Sequence, residues 1–349
     1  MSGAQSRLLA AVGARERLDY RGGPPDAALA ERLLEVPTRI VLGARDRNPA
    51  LAALDLDGAL SRAEHSWPRY RDATIHVEHH AVPEPAATVV VAHGLGDHSR
   101  RQLPLAAALA ERGFAALLVD RHGHGLSEGR RGDATLESDL GVVEMAIGLA
   151  RASSEAPVVL LGDSLGGILT WYLLTREPDI DAAVCHCIGH PDVQPDPSFR
   201  WKQPLIRALG RVAPYAPVPV SQIADYSQVA LDPETRRYFE QRVDPLFNFS
   251  VTLRSAASYL RFEPAIPWEH VETPALVMIG GADGMVTPAF TRESLDRARP
   301  SRAEYLEVPG AGHQLFLDDL GLAIDPLVDW IRTAVEPRGR HGAVTPQTP

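Results

Sequence analysis

The sequence predicts an α/β fold: a mostly parallel sheet covered by helices on both faces, with a helical insertion late in the chain. Three observations carry this. From Pro83 onward, short apolar runs alternate with stretches of helical periodicity. The alternation stops between Gly189 and about Trp268, and it resumes after that gap. Runs that are apolar on consecutive positions, separated by helices, are the mark of parallel strands buried on both faces.

The elements follow in order. Residues 1–60 read as a helical extension, in the pieces LLAAVGARERL, AALAERLLEV and NPALAALDLDGAL, with RGGPPD breaking the first two. The first twenty residues, with one arginine before a weak apolar stretch that soon meets charges, read as a surface helix rather than a secretion signal. TVVVAHG is a strand, QLPLAAALAERG a helix closed by Gly113, FAALLVD a strand, and ESDLGVVEMAIGLARAS a helix. PVVLLGD, SLGGILTWYLLTRE and IDAAVCHCIG continue as strand, helix, strand. PALVMIGGAD and AEYLEVPGAGH are late strands, and GLAIDPLVDWIRTAV is a closing helix. The resulting expectation is a core of residues 61–190 and 269–336, a mostly helical inserted cap over 191–268, and a disordered tail over 337–349. A structureless loop of about 80 residues inside a compact domain is physically implausible, so the insertion must fold.

Composition narrows the function. The 349 residues are 45% hydrophobic and 23% charged, enough apolar content for a large core, and the net charge is −10. An acidic chain has no bulk attraction for phosphate backbones or anionic membranes, so no nucleic-acid partner is expected. No run approaches the ~20 apolar residues that span a bilayer, so no stable membrane insertion is expected either. Cys185 and Cys187, two apart in CHC, read as buried strand residues in a reducing compartment, which places the protein in the cytoplasm. No metal or cofactor pattern is present, and none is expected.

The chemistry is concentrated in GDSLGG, residues 162–167. It follows an apolar run directly and precedes a helix, which is the context of a nucleophile elbow, G-x-S-x-G. Ser164 would be the nucleophile. A serine hydroxyl needs a base, and that base a carboxylate to orient it. On α/β hydrolase sheets the chain order is Ser, then Asp or Glu, then His. Asp283 and His313 each sit just past a late apolar run, where the carboxyl ends of the strands would meet Ser164. Asp192 is a competing acid, and His186, His190 and His270 are competing bases that read better as structural or surface residues. The tetrahedral intermediate needs N–H donors, here Leu165 after the nucleophile and Leu95 in the loop HGLGDHS. Gly94 and Gly96 would let that loop approach the substrate; His93 would hold it, and Asp97 and His98 would brace it.

Taken together, HGLGDHS, VDRHGHGLSEGRR, LLGDSLGG, GGADGMVTP and GAGHQLF resemble the monoacylglycerol lipase-like branch of the α/β-hydrolase superfamily, also called the serine aminopeptidase or lysophospholipase-like group. The likeness runs from about Pro83 to about Val335. It implies the α/β-hydrolase fold with a helical cap after strand 6, Ser164, Asp283 and His313 as the triad, the Leu95 and Leu165 N–H groups as the oxyanion hole, and an apolar cap that admits acyl chains. Asp163 stands where this branch usually has histidine or another residue, Leu165 where it often has methionine, and the first 60 residues lie outside the pattern. The letters GDSL also name another lipase family, but that family carries its serine near the start of the chain and a late Asp-x-x-His, neither of which occurs here.

The expected function is hydrolysis of a small-molecule carboxylic ester with a lipid-like acyl chain. Trp201, Tyr215, Tyr226, Phe247 and Phe249 are expected in the cap, either lining an acyl pocket or forming the plain core of the cap. The same triad could serve a peptidase, thioesterase, acyltransferase or carbon–carbon hydrolase, and the fold alone could serve a non-catalytic binding protein.

Overall fold

The computed structural model describes residues 25–193 and 199–336. The expected helix within the first twenty residues and the tail over 337–349 lie outside them.

Eight strands form one sheet: β1 (Glu64–Ser66), β2 (Val77–His80), β3 (Thr88–Ala92), β4 (Ala115–Val119), β5 (Val158–Asp163), β6 (Ala182–His186), β7 (Ala275–Gly280) and β8 (Ala303–Val308). Their spatial order is β1-β2-β4-β3-β5-β6-β7-β8. Strands β3 to β8 pair parallel, and β2 pairs antiparallel with both β1 and β4. In register, Val90 of β3 lies between Leu117 of β4 and Leu160 of β5.

The uninterrupted apolar runs have a simple cause, because alternate residues of each central strand enter different cores. Val90, Leu117, Leu160 and Val277 face one core with Trp171 and Leu173. Val89, Val91, Leu118, Leu161 and Met278 face the other with Leu105, Leu109 and Leu327. Helices Leu136–Ser153 and Leu165–Leu174 cover the first face; Leu103–Ala110 and Leu320–Val335 cover the second. Each such side chain taken fully from water contributes roughly 1.5–3 kcal/mol, so the two layers together supply the main stabilisation.

Two strands escape the sequence reading. β1 is exposed along its length, and in and beside β2 buried apolar Ile75 and Val77 are interleaved with buried polar residues: His76, Glu78 and His80 are each almost inaccessible. They are tolerated because they are paired. Arg100 donates to Glu78 at 3.1 Å and His80 lies 3.0 Å from it. His76 bonds Asp120 at 2.7 Å, and Asp120 also accepts the Ser99 N–H at 2.6 Å. Buried charges are retained only with such partners.

The first described helix, Ala27–Gly43, starts at Asp26, whose side chain accepts the Leu29 N–H at 2.8 Å. It runs on through Pro37, past the AALAERLLEV segment. Leu33 and Leu34 pack with Leu126 of the core and Leu246 of the insertion. The stretch NPALAALDLDGAL, by contrast, divides into Pro49–Ala52 and Leu56–Arg62, restarted by Asp55.

The insertion follows β6. It holds helices Phe199–Val212, Tyr226–Val229, Pro233–Gln241 and Leu253–Tyr259, with a two-stranded ribbon pairing Pro217–Pro219 and Ser250–Thr252. The ribbon lies outside the sequence expectation, since its strands are three residues each, one of them bearing two prolines, and carry no period to read. Among the described residues, no helix is long and apolar enough to cross a membrane.

Candidate active site

Ser164 stands between β5 and the helix Leu165–Leu174, with φ 54° and ψ −115°. Positive φ on a residue with a Cβ costs of order 1–3 kcal/mol and persists only where the surroundings enforce it. Here the crossing is tight: a Cβ on Gly166 would lie 2.0 Å from the Ala92 carbonyl oxygen, so the helix can start this close to β3 only with glycine there. The result aims Ser164 Oγ out of the turn.

His313 Nε2 lies 2.9 Å from Ser164 Oγ, and its Nδ1 lies 2.7 Å from Asp283 Oδ2. Asp283 Oδ1 accepts the N–H groups of Met285 at 2.8 Å and Val286 at 2.9 Å, which fixes the carboxylate plane. A carboxylate can only accept, so Nδ1 carries the proton and Nε2 is left to accept from the serine. Asp283 and His313 are 3% and 4% exposed, a setting in which water does not weaken these bonds. His313 is therefore within bonding distance of both Ser164 and Asp283, the two other residues expected from the sequence. Asp192 is not part of this group: its carboxylate is exposed and lies 3.6 Å from Arg297. His190 is 4.0 Å from Asp192 on the same rim, and His270 sits in the short turn Trp268–His270.

The loop 93–99 abuts the serine. A Cβ on Gly94 would lie 3.3 Å from Ser164 Cβ, which puts Leu95 and Leu165 on the two backbone segments beside Oγ. Buried side chains hold the loop. Arg121 donates to the Gly94 carbonyl at 2.7 Å and to Asp139 at 2.8 Å. His93 bonds the same carbonyl at 3.0 Å and accepts the Arg121 N–H at 3.1 Å. Burial, with Arg121 beside it, pushes the His93 imidazole well below its usual range, so it is neutral and acts as a brace.

The far end of the loop is tied to the insertion. The Asn248 N–H donates to the Gly96 carbonyl at 2.7 Å. His98 Nε2 lies 2.7 Å from Asp244 Oδ2, with both side chains fully buried, and the Tyr238 hydroxyl donates to the same oxygen. Burial alone would favour the neutral forms, but mutual attraction prevails. His98 is raised above its usual value and Asp244 is held at about 2. Asp97 instead is raised, chiefly by burial, although Arg101 lies 3.3 Å away.

Of the five insertion aromatics, Phe247 is 3% exposed and its ring would lie 3.2 Å from a Cβ on Gly96. Phe249 stacks obliquely on it at 4.8 Å, and Tyr226 stacks on Phe239 at 5.3 Å. These three share one apolar cluster with Leu95 and Met285. Tyr215 is 48% exposed and lies under Arg130 and Arg254 instead. The Trp201 side chain lies outside the described residues.

Sequence reasoning missed the surroundings of Asp163. Its Oδ1 bonds His186 Nδ1 at 2.6 Å and its Oδ2 accepts from Gln102 at 2.9 Å. Burial opposes ionisation, yet the hydrogen bonds from His186 and Gln102 hold the carboxyl below its usual value. Asp163 lines a narrow polar cleft, with room for about one water, together with Asp97, Arg101, Gln102 and Gln314. Its one signal in the sequence was that aspartate departs there from the residues usual in the resembled branch. His186, Cys187, Asp283 and His313 also form a buried group with metal-ligating atoms close together.

Residues 83–319 match the family model described as serine aminopeptidase, S33. A monoacylglycerol lipase of Mycolicibacterium smegmatis is 25% identical over 258 residues, covering 71% of this chain and 89% of that protein. An abhydrolase domain-containing protein of Dictyostelium discoideum is 28% identical over 218 residues, 61% of this chain but only 22% of the longer relative. Among solved structures, the crystal structure of Paleococcus ferrophilus monoacylglycerol lipase superposes with a TM-score of 0.63 at 25% identity, covering 74% of this chain and 99% of that one.

Proposed function

This chain belongs to the serine aminopeptidase S33 family and has the α/β-hydrolase fold, and from that premise we propose that it is a serine hydrolase of carboxylic esters with a lipid-like acyl chain. The observation that carries the reading is the continuous line Ser164 Oγ to His313 Nε2 at 2.9 Å and His313 Nδ1 to Asp283 at 2.7 Å. His313 takes the serine proton as Oγ attacks the ester carbonyl, and Asp283 stabilises the imidazolium that forms. The N–H groups of Leu95 and Leu165 receive the developing oxyanion. Collapse expels the alcohol, protonated by His313; a water activated by the same imidazole then releases the acid from the acyl-enzyme.

One surface supports the substrate class: Leu95, Phe247, Phe249, Tyr226 and Met285 offer an apolar side for the acyl chain. The M. smegmatis and P. ferrophilus monoacylglycerol lipases are named for such a substrate.

A fluorophosphonate probe should label the protein, and Ser164→Ala should abolish labelling while leaving the fold intact. Labelling that survived the substitution would place the nucleophile elsewhere. The family's description favours one second reading, an aminopeptidase. Turnover of aminoacyl anilides faster than of 1-monoacylglycerols in the same assay would select it.

A further inference from the structure

The group behind the triad has a composition that hydrolysis does not require. His186 ends β6, and Cys187 follows it with φ 73°, which turns the chain toward Asp283 and His313. All four residues are buried, and one ligand atom from each lies within 4.8 Å of the other three. Tetrahedral zinc with nitrogen ligands at about 2.0 Å and sulfur at about 2.3 Å sets ligand-to-ligand edges near 3.5 Å, so closure on an ion takes side-chain shifts of about an ångström.

A second observation points the same way. His186 Nδ1 is bonded to Asp163 at 2.6 Å, while its Nε2 is buried with no hydrogen-bond partner among the described residues. A buried ring nitrogen without a partner is costly. A carboxylate on one nitrogen of an imidazole, leaving the other lone pair free, is the arrangement that orients histidine for a metal. The ring lies 5.3 Å, centre to centre, from that of His313.

We propose that His186, Cys187, Asp283 and His313 form an inhibitory binding site for a divalent transition-metal ion of the zinc type. Two imidazoles, a thiolate and a carboxylate are a donor set that such an ion takes and magnesium or calcium does not. On binding, the Cys187 thiol gives its proton to solvent and the sulfur lone pair forms the bond to the metal; no electron is transferred. Burial and the neighbouring Asp283, Asp163 and Cys185 keep that thiol protonated until an ion arrives. Inhibition follows whichever nitrogen of His313 is taken. Nε2 is the base for Ser164 and binds with its free lone pair; if Nδ1 binds instead, its proton moves to Nε2, which then can no longer accept from Ser164. That inhibitory role rests on the hydrolase reading; the site itself does not.

Zinc chloride alone, in a buffer that does not chelate, is the probe. Binding is read by competition with a chromophoric chelator, and turnover on a chromogenic ester in parallel. The protein should bind one zinc per chain at about micromolar concentration or below, with turnover falling in step. Cys187→Ser should leave zinc-free turnover within about twofold and weaken both binding and inhibition at least tenfold, since even outer partners of a ligand are worth about that much. Cys187→Ala serves if the serine variant does not fold. Zinc affinity unchanged in these variants, or no effect on the parent protein at about 100 μM, overturns the proposal. Cys187-dependent zinc binding without any ester turnover would uphold the site and reject the hydrolase.

Discussion

Asp283→Asn separates the orientation of the imidazole from its mere presence. Asp283 Oδ1 accepts two backbone N–H groups, from Met285 at 2.8 Å and Val286 at 2.9 Å. An asparagine must keep its carbonyl oxygen there, because the flipped amide would set its NH₂ against two donors. The amide nitrogen is thereby forced to face His313 Nδ1, where the carboxylate oxygen now stands at 2.7 Å. A donor facing Nδ1 moves the ring proton to Nε2, and Nε2–H cannot accept the proton of Ser164 Oγ. The geometry survives while the tautomer is wrong, and such a change in a triad typically lowers kcat by about 10⁴, equivalent to ~5.5 kcal/mol in the barrier. The assay is steady-state ester turnover with thermal unfolding measured on the same preparation, so that a folding defect is seen separately. The variant should unfold within a few degrees of the parent. Turnover within about tenfold of the parent protein, from a folded variant, would refute the role given to this carboxylate.

Two further outcomes follow from buried charges where the insertion meets the core. Asp244→Ala leaves the His98 imidazole and the Tyr238 hydroxyl buried without their shared acceptor; losing one partner of such a pair costs about 3–5 kcal/mol, which chemical denaturation would read, and a loss below about 1 kcal/mol would count against the pair as a tie between loop and insertion. Asp318, whose Oδ1 accepts the Thr235 hydroxyl at 2.8 Å and whose Oδ2 is buried without a partner, is pushed by burial from 3.8 to about 6. The folded state then holds a proton that the unfolded state gives up, so this group's stabilisation is complete below pH 4 and is lost as pH rises through 6, by at most about 3 kcal/mol. Asp318→Asn should flatten the stability profile between pH 4 and 6; a profile identical to that of the parent would show that Asp318 does not titrate there.

The sequence alone determined what depends on local order and period. Uninterrupted apolar runs declared strands buried on both faces, because each run feeds two cores. The elbow was legible because a serine held at positive φ beside a close helix–strand crossing leaves room only for glycines, and those glycines are letters in the chain. Asp283 and His313 could be chosen because strand ends on a parallel sheet converge by topology. The tertiary structure decided everything that rests on pairing across distance. β2 was hidden because Glu78, His76 and His80 read as surface residues until Arg100 and Asp120 are placed against them. The same holds for Asp163 with His186 and for Asp244 with His98. A buried charge is stable only with its partner, and a partner 23 or 146 residues away leaves no periodic trace for one sequence to show.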